Sequence, residues 1–301
     1  MGITAGTSPH FGRLITAMVT PFKDDQSIDF DAFAALANKL VDEGNDALVI
    51  SGTTGETSTL EDQEKEDLFR AAVEAVGDRA KIIAGTGTNH TSHSVEMAKR
   101  AAKAGAHGQL VVTPYYNKPS QEGIIAHVEA IAEAADLPVM VYDIPGRSGV
   151  PITTESHQKL AQHSNIVALK DAKGDFTALT EVLGSTDLDV YSGDDLNTLA
   201  WMAAGGVGVV SVTAHVAAPQ FRTLIDAMVA SDLDAARQVH FELEPVIRGI
   251  MTRAQGAVAA KTVLAAHNVI PTPVVRLPLV QTSQAEHAAI AGDLKGTRWQ
   301  I

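Results

Sequence analysis

The chain has 301 residues, of which 45% are hydrophobic, 20% charged and only 5% aromatic, with a formal net charge of −13. A negative balance of that size repels phosphate backbones and anionic lipid surfaces, so binding to nucleic acid or membrane is not expected. Cysteine is absent, which excludes disulfide scaffolds, thiolate nucleophiles and thiolate zinc sites.

Short apolar runs rich in β-branched residues recur along the chain at 14–19, 47–51, 81–85, 109–113, 138–142, 166–170, 189–192 and 208–212. Between them lie segments of helical period, such as Phe30, Phe33, Ala37, Leu40 and Val41, which place apolar side chains on one face. Near-continuous apolar strands joined by amphipathic helices predict a parallel sheet, and eight such units predict an α/β fold of the closed (β/α)8 TIM-barrel type. A doubly wound open sheet is the alternative arrangement of the same units. No linker or change of composition divides the first 212 residues, so residues 1–215 are expected to form one barrel carrying the active site. Residues 216–301 are expected to form a helical extension packed on it, through 221–229, 233–250 and 257–268, with the proline-containing stretch 271–278 interrupting the pattern. No apolar run approaches the ~20 residues of a membrane span, and residues 1–11 lack the pattern of an export leader. A cytoplasmic location is therefore expected.

The unusual polar residues fall at the C-terminal ends of the predicted strands. Gly52-Thr53-Thr54-Gly55-Glu56 follows the second, Thr113-Pro114-Tyr115-Tyr116-Asn117 the fourth, Tyr142-Asp143-Ile144-Pro145-Gly146-Arg147 the fifth, Lys170-Asp171 the sixth and Ser192-Gly193-Asp194-Asp195 the seventh. In a barrel these ends converge on one mouth. Lys170 closes an apolar strand. Pointing inward, it would be desolvated into a neutral amine able to attack a ketone; pointing outward, it would snorkel to solvent. Tyr142, at the matching end one strand earlier, can exchange a proton beside that amine or simply cap the core with its hydroxyl at the rim. Thr53 and Thr54 offer hydroxyl and backbone donors to a carboxylate, or form only a strand-to-helix turn in which Ser58 and Glu61 make a capping box. Arg147 can grip a carboxylate bidentately or sit solvated at the surface. His90 spoils a dinucleotide fingerprint at 85–90, and Asp194 and Asp195 disfavour a phosphate after the seventh strand. The eleven histidines lack metal-ligand spacing, so no metal is expected.

Four of these clusters, Gly52-Thr53-Thr54-Gly55-Glu56, Thr113-Pro114-Tyr115-Tyr116-Asn117, Tyr142-x-x-Pro145-x-Arg147 and Val167-Ala168-Leu169-Lys170-Asp171, together resemble the dihydrodipicolinate synthase family of pyruvate-dependent class I aldolases. The resemblance covers residues 11–215 well and the C-terminal part loosely. It implies a lyase that condenses pyruvate with aspartate 4-semialdehyde in the diaminopimelate route to lysine, without a cofactor. It also implies roles for single residues. Lys170 is the imine-forming lysine, Tyr142 the acid/base phenol, and Thr53 and Tyr116 the other members of a proton relay, Tyr116 reaching into a neighbouring subunit of a homotetramer built as a dimer of dimers. Thr54, the Val210 backbone and Gly193 surround pyruvate, and Arg147 takes the carboxylate of the second substrate. N-acetylneuraminate lyases and keto-deoxy-sugar-acid aldolases share the lysine and tyrosine but differ around Arg147. A non-catalytic keto-acid sensor on the same fold and a metal-dependent aldolase are further alternatives. Two departures from the family pattern are Asp143, where many members have asparagine, and His93, where lysine-inhibited members often have glutamate. With Lys65 in place of a common histidine, the second departure implies weak or absent inhibition by lysine.

Overall fold

The computed structural model describes residues 8–301; residues 1–7, which carry much of the leader expectation and the start of the expected barrel segment, lie outside the described residues. Eight strands pair in parallel and in chain order: β1 (Leu14–Ala17), β2 (Ala47–Ile50), β3 (Lys81–Gly85), β4 (Gly108–Val112), β5 (Val139–Asp143), β6 (Ile166–Asp171), β7 (Asp189–Ser192) and β8 (Gly208–Ser211). β1 also pairs with β8, Ile15 standing opposite Val210, so the sheet closes on itself as a TIM barrel. That closure excludes the open doubly wound sheet.

The strands alternate with α1 (Phe30–Asp42), α2 (Asp62–Val76), α3 (Thr91–Lys103), α4 (Gln121–Ala134), α5 (Pro145–Ser148), α6 (Thr154–Leu160), α7 (Phe176–Ser185), α8 (Thr198–Ala204) and α9 (Ala214–Val229). In α1 the buried Phe33, Leu36, Ala37 and Leu40 recur at helical spacing and face the sheet, while the Asp29 side chain accepts from the Ala32 N–H and starts the helix. Burying each such leucine is worth about 1.5–3 kcal/mol. The expected capping box at Ser58 and Glu61 is not the one that forms. Thr57–Thr59 makes a tight 3-10 turn, and the cap shifts three residues on, where the Glu61 N–H donates to the Glu64 carboxylate at 2.9 Å.

Inside the barrel Ile15, Val49, Ile83, Met140, Ala168, Tyr191 and Val210 form one buried cluster, plugged at the N-terminal end of the strands by Phe11. Gly108 is glycine because a Cβ there would lie 2.4 Å from the Phe11 ring. After β8 the chain is helical: α9, α10 (Leu233–Thr252), α11 (Gly256–Ala266) and α12 (Gln284–Leu294). The stretch 271–278 is non-helical, as its prolines predict. α12 is additional to the expected pattern, and Arg248 and Arg253 tie it back to α10's end through Asp293 at 2.9 and 2.6 Å. α9 packs on β1 and β8. Its first turn carries His215, whose Nε2 accepts from the Val19 N–H at 2.9 Å while Nδ1 meets the Val212 carbonyl at 2.7 Å. Burial lowers the His215 pKa to about 4, so the ring is neutral and can accept.

Candidate active site

Lys170 and Tyr142 are neighbours across the β5–β6 pair. Each lies two residues beyond an inward-facing core residue, Ala168 and Met140, so strand alternation aims both into the barrel. The inward reading of Lys170 therefore holds, and the snorkelling one does not. Its side chain leaves the residue only 5% exposed, and Nζ sits 4.2 Å from the centre of the Tyr142 ring. Burial drives the lysine pKa down to about 8, with Arg147 pushing the same way and Asp195 opposing. At pH 7 about one amine in ten is then neutral, against about one in three thousand for an ordinary lysine. Burial pushes the Tyr142 phenol up to about 12, against a downward pull from Arg147, so it rests protonated and able to donate.

A cavity of about 380 Å³ opens at these strand ends, lined by Ser51, Thr53, Thr57, Tyr115, Tyr142 and Arg147 among others. That volume suits a small-molecule substrate. Thr53 faces it from the loop after β2, with Thr54 buried behind. Two left-handed non-glycine residues bound this loop, Ser51 at φ 56 and Glu56 at φ 60. Each costs of order 1–3 kcal/mol and persists only where the surroundings over-determine it. At the first end the Ser51 hydroxyl donates to Thr57 Oγ1 at 3.0 Å, and the Ser51 carbonyl lies against Gly85, where a Cβ would approach it to 2.2 Å.

Arg147 stands on the one-turn α5, exposed at the cavity edge. The loop beneath it is fastened by Asp143, whose Oδ2 accepts from the Ile152 N–H at 3.2 Å and faces His157 and Lys173 at 3.6 and 3.7 Å. The Asp143 departure thus acts on the loop that carries Arg147. Gly193 follows β7, its N–H donating to the Asp171 carbonyl at 2.7 Å, and a Cβ there would meet Ala172 at 2.9 Å. Val210 is buried in β8 within the same inner cluster as Tyr142. Tyr116 is not brought into the cavity within one chain: it is 89% exposed with φ 73, and its neighbour Tyr115 lines the wall instead.

The sequence offers Asp195 only as a bar to phosphate. The structure places it fully inside, its Oδ2 accepting from the N–H groups of Thr213 at 2.7 Å and Val212 at 3.3 Å, with its charge acting on Lys170. Burial raises its own pKa. The signal available was its place beside Gly193 at a strand's C-terminal end. Among the described residues no group of three or more histidine, aspartate or glutamate side chains converges to hold a metal ion. No helix of the described residues is long and apolar enough to cross a membrane.

Residues 10–297 match the family model described as the dihydrodipicolinate synthetase family. The chain belongs to this family. It is 51% identical over 284 residues to a 4-hydroxy-tetrahydrodipicolinate synthase of Kineococcus radiotolerans, covering 94% of this chain and 92% of the relative. It is equally 51% identical over 294 residues to 4-hydroxy-tetrahydrodipicolinate synthase 2 of Streptomyces coelicolor, covering 98% of each. The crystal structure of a dihydrodipicolinate synthase from Bacillus anthracis superposes with a TM-score of 0.92 at 41% identity, covering 95% of this chain and 98% of that one.

Proposed function

We propose that the chain is a 4-hydroxy-tetrahydrodipicolinate synthase, a lyase that joins pyruvate to aspartate 4-semialdehyde through an imine on Lys170. The observation that carries this reading is the buried Lys170 amine, lowered to about 8, lying on the Tyr142 ring beside a cavity whose edge bears an arginine. The neutral amine adds to the pyruvate ketone, and loss of water gives the imine. Loss of a methyl proton yields an enamine, whose carbon attacks the aldehyde of the second substrate. That substrate's own amine then attacks the imine carbon, closing the ring and releasing Lys170. The protonated imine is itself the electron sink, so the sequence of steps balances without a metal or an organic cofactor.

Tyr142 moves the protons at the imine, with Thr53 and Tyr116 completing the relay. Thr54, the Val210 backbone and Gly193 hold pyruvate, and Arg147 takes the second carboxylate. Tyr116 serves the site of a neighbouring subunit in a homotetramer, and an exposed aromatic held at positive φ supports that reading. Residues 1–215 act as the catalytic barrel and 216–301 as its helical extension, in a cytoplasmic enzyme. Borohydride added with pyruvate is expected to leave a pyruvate-derived mass on the Lys170 peptide. Labelling of a different lysine overturns the mechanism. Faster turnover with pyruvate and N-acetylmannosamine than with pyruvate and aspartate semialdehyde overturns the substrate assignment in favour of a sugar-acid aldolase.

A further inference from the structure

The loop that presents Thr53 and Thr54 is held at its second end by a part of the chain far away in sequence. Glu56 is buried, and both of its carboxylate oxygens are engaged. Oε1 accepts from Lys261 Nζ at 2.5 Å, across a separation of 205 residues, and Oε2 accepts from the Arg276 N–H at 2.9 Å. Lys261 is fully buried too, donates to the Val274 carbonyl at 2.8 Å, and lies 4.1 Å from the centre of the Phe22 ring. The Arg276 guanidinium stacks over the same ring at 4.5 Å. From there it donates to the Thr59 carbonyl at 2.9 Å and to both oxygens of Glu64 at 2.7 and 2.6 Å. Glu56, at the left-handed position, and Thr59, three residues on, are thus clamped from one C-terminal strap, the segment from Lys261 in α11 to Arg276.

A buried ion pair is poor evidence of a stability device, since a well-packed apolar pair of the same volume is often as stable or more so. What an apolar pair cannot do is fix the orientation of a backbone turn through directional bonds to two separate donors. Glu56 sits at the left-handed position that ends the Gly52–Gly55 turn, one residue before the cavity-lining Thr57 and three after Thr53. Neither Glu56 nor Lys261 lines the cavity, so any effect they have on chemistry passes through the loop.

We propose that Glu56, Lys261 and Arg276 are positioning residues that set the Thr53 and Thr54 hydroxyls, so that the C-terminal strap governs how tightly the keto-acid carboxylate is held. The proposal rests on the synthase reading and extends it to residues outside the cavity. It separates two substrates handled by different loops: pyruvate depends on the strap, whereas the second substrate depends on the Arg147 loop, which Asp143 fastens independently.

Glu56→Gln keeps the volume but leaves an amide able to accept from only one of the two donors, and Lys261→Met removes the pair's other half. In Glu56→Gln the KM for pyruvate is expected to rise about tenfold or more, with the KM for aspartate semialdehyde unchanged. In the double variant the melting temperature is expected to recover, while the pyruvate KM stays raised. A merely structural pair predicts the opposite, recovery of both together. Should Glu56→Gln not fold, Arg276→Met carries the test, with a smaller shift of the same selectivity. An unchanged pyruvate KM in a folded variant overturns the proposal, as does an equal rise for both substrates. The parent protein is run beside them with borohydride: if it traps no pyruvate, the synthase reading falls and this proposal with it. If it traps pyruvate and the variants cannot be told from it, only the positioning role falls.

Discussion

Lys170 at the end of β6 and Lys261 in α11 both lie buried, each against an aromatic ring. Each has its ammonium about the same distance from an aromatic ring, 4.2 Å for Tyr142 and 4.1 Å for Phe22. Burial lowers both to about 8. They differ in what surrounds the nitrogen. Lys261 has a carboxylate at 2.5 Å and a carbonyl at 2.8 Å, so its lone pair has no room to act. Lys170 stands beside a substrate-sized cavity, with Asp195 acting on it only through its field. A depressed pKa therefore does not make a lysine a nucleophile; access to an electrophile with the proton partners left unmade does.

The largest contrast comes from deleting each amine. Lys170→Met is expected to abolish pyruvate trapping and turnover, yet to stabilise the fold. The folded lysine holds its proton more weakly than an unfolded one, so below about pH 8 the native state bears the desolvation of a buried charge, on the order of 3 kcal/mol from the lowered pKa. That cost falls as pH rises from about 8 toward the unfolded value. A rise of a few degrees in melting temperature at pH 7 is expected, and a fall would break the comparison. Lys261→Met should do the reverse, losing about 3–5 kcal/mol by leaving Glu56 unpaired while keeping the trapped adduct on Lys170.

Arg147→Ala ranks next, lowering kcat/KM for aspartate semialdehyde about tenfold with pyruvate trapping intact. The effect is placed near the lower end of the range for a charge-assisted contact because the guanidinium is exposed. Unchanged kinetics for that substrate would remove the main ground for preferring the synthase. A smaller effect sharpens the electrostatics. Imine formation should climb with pH toward about 8 and then level. Asp195→Asn, by removing the charge that opposes desolvation, should move that rise to lower pH. A shift upward would mean that Asp195 acts on something else. The smallest expected effect is that of added lysine. His93 Nε2 lies 2.9 Å from Asp62, and Lys65 approaches the same carboxylate at 3.4 Å, so the carboxylate beside His93 is already engaged. Strong inhibition by submillimolar lysine would contradict this.

The barrel was legible because its strands are short, apolar and separated by helices of clear period, and the inward direction of Lys170 follows from its spacing to Ala168. α12 was not legible, since only Ile290 and Leu294 of its residues are buried and its stripe is too thin to read. The run at 14–19 overshoots β1 because apolarity continues into Met18 and Val19, which are buried without being strand. Thr53, Tyr142 and Arg147 could be assembled from strand-end positions, a local property. The partners of Glu56 could not, because no pattern in sequence links it to a lysine 205 residues away.

The His215–Val19 hydrogen bond adds a consequence at the seam of the ring. A barrel is complete only when its first and last strands meet, an encounter of high contact order and so a late event in folding. Here the N–H just beyond β1 is received by an imidazole just beyond β8, 196 residues later. The folded ring gains a proton only near pH 4, whereas an unfolded one does so near 6.5. Stability from this latch is therefore full above about 6.5 and is lost progressively as pH falls through 4. A protonated ring would turn a donor toward a donor. Acid should thus part the cylinder first where its two ends were joined, and amide exchange at Val19 that quickens ahead of the strands opposite the seam would record the unlatching.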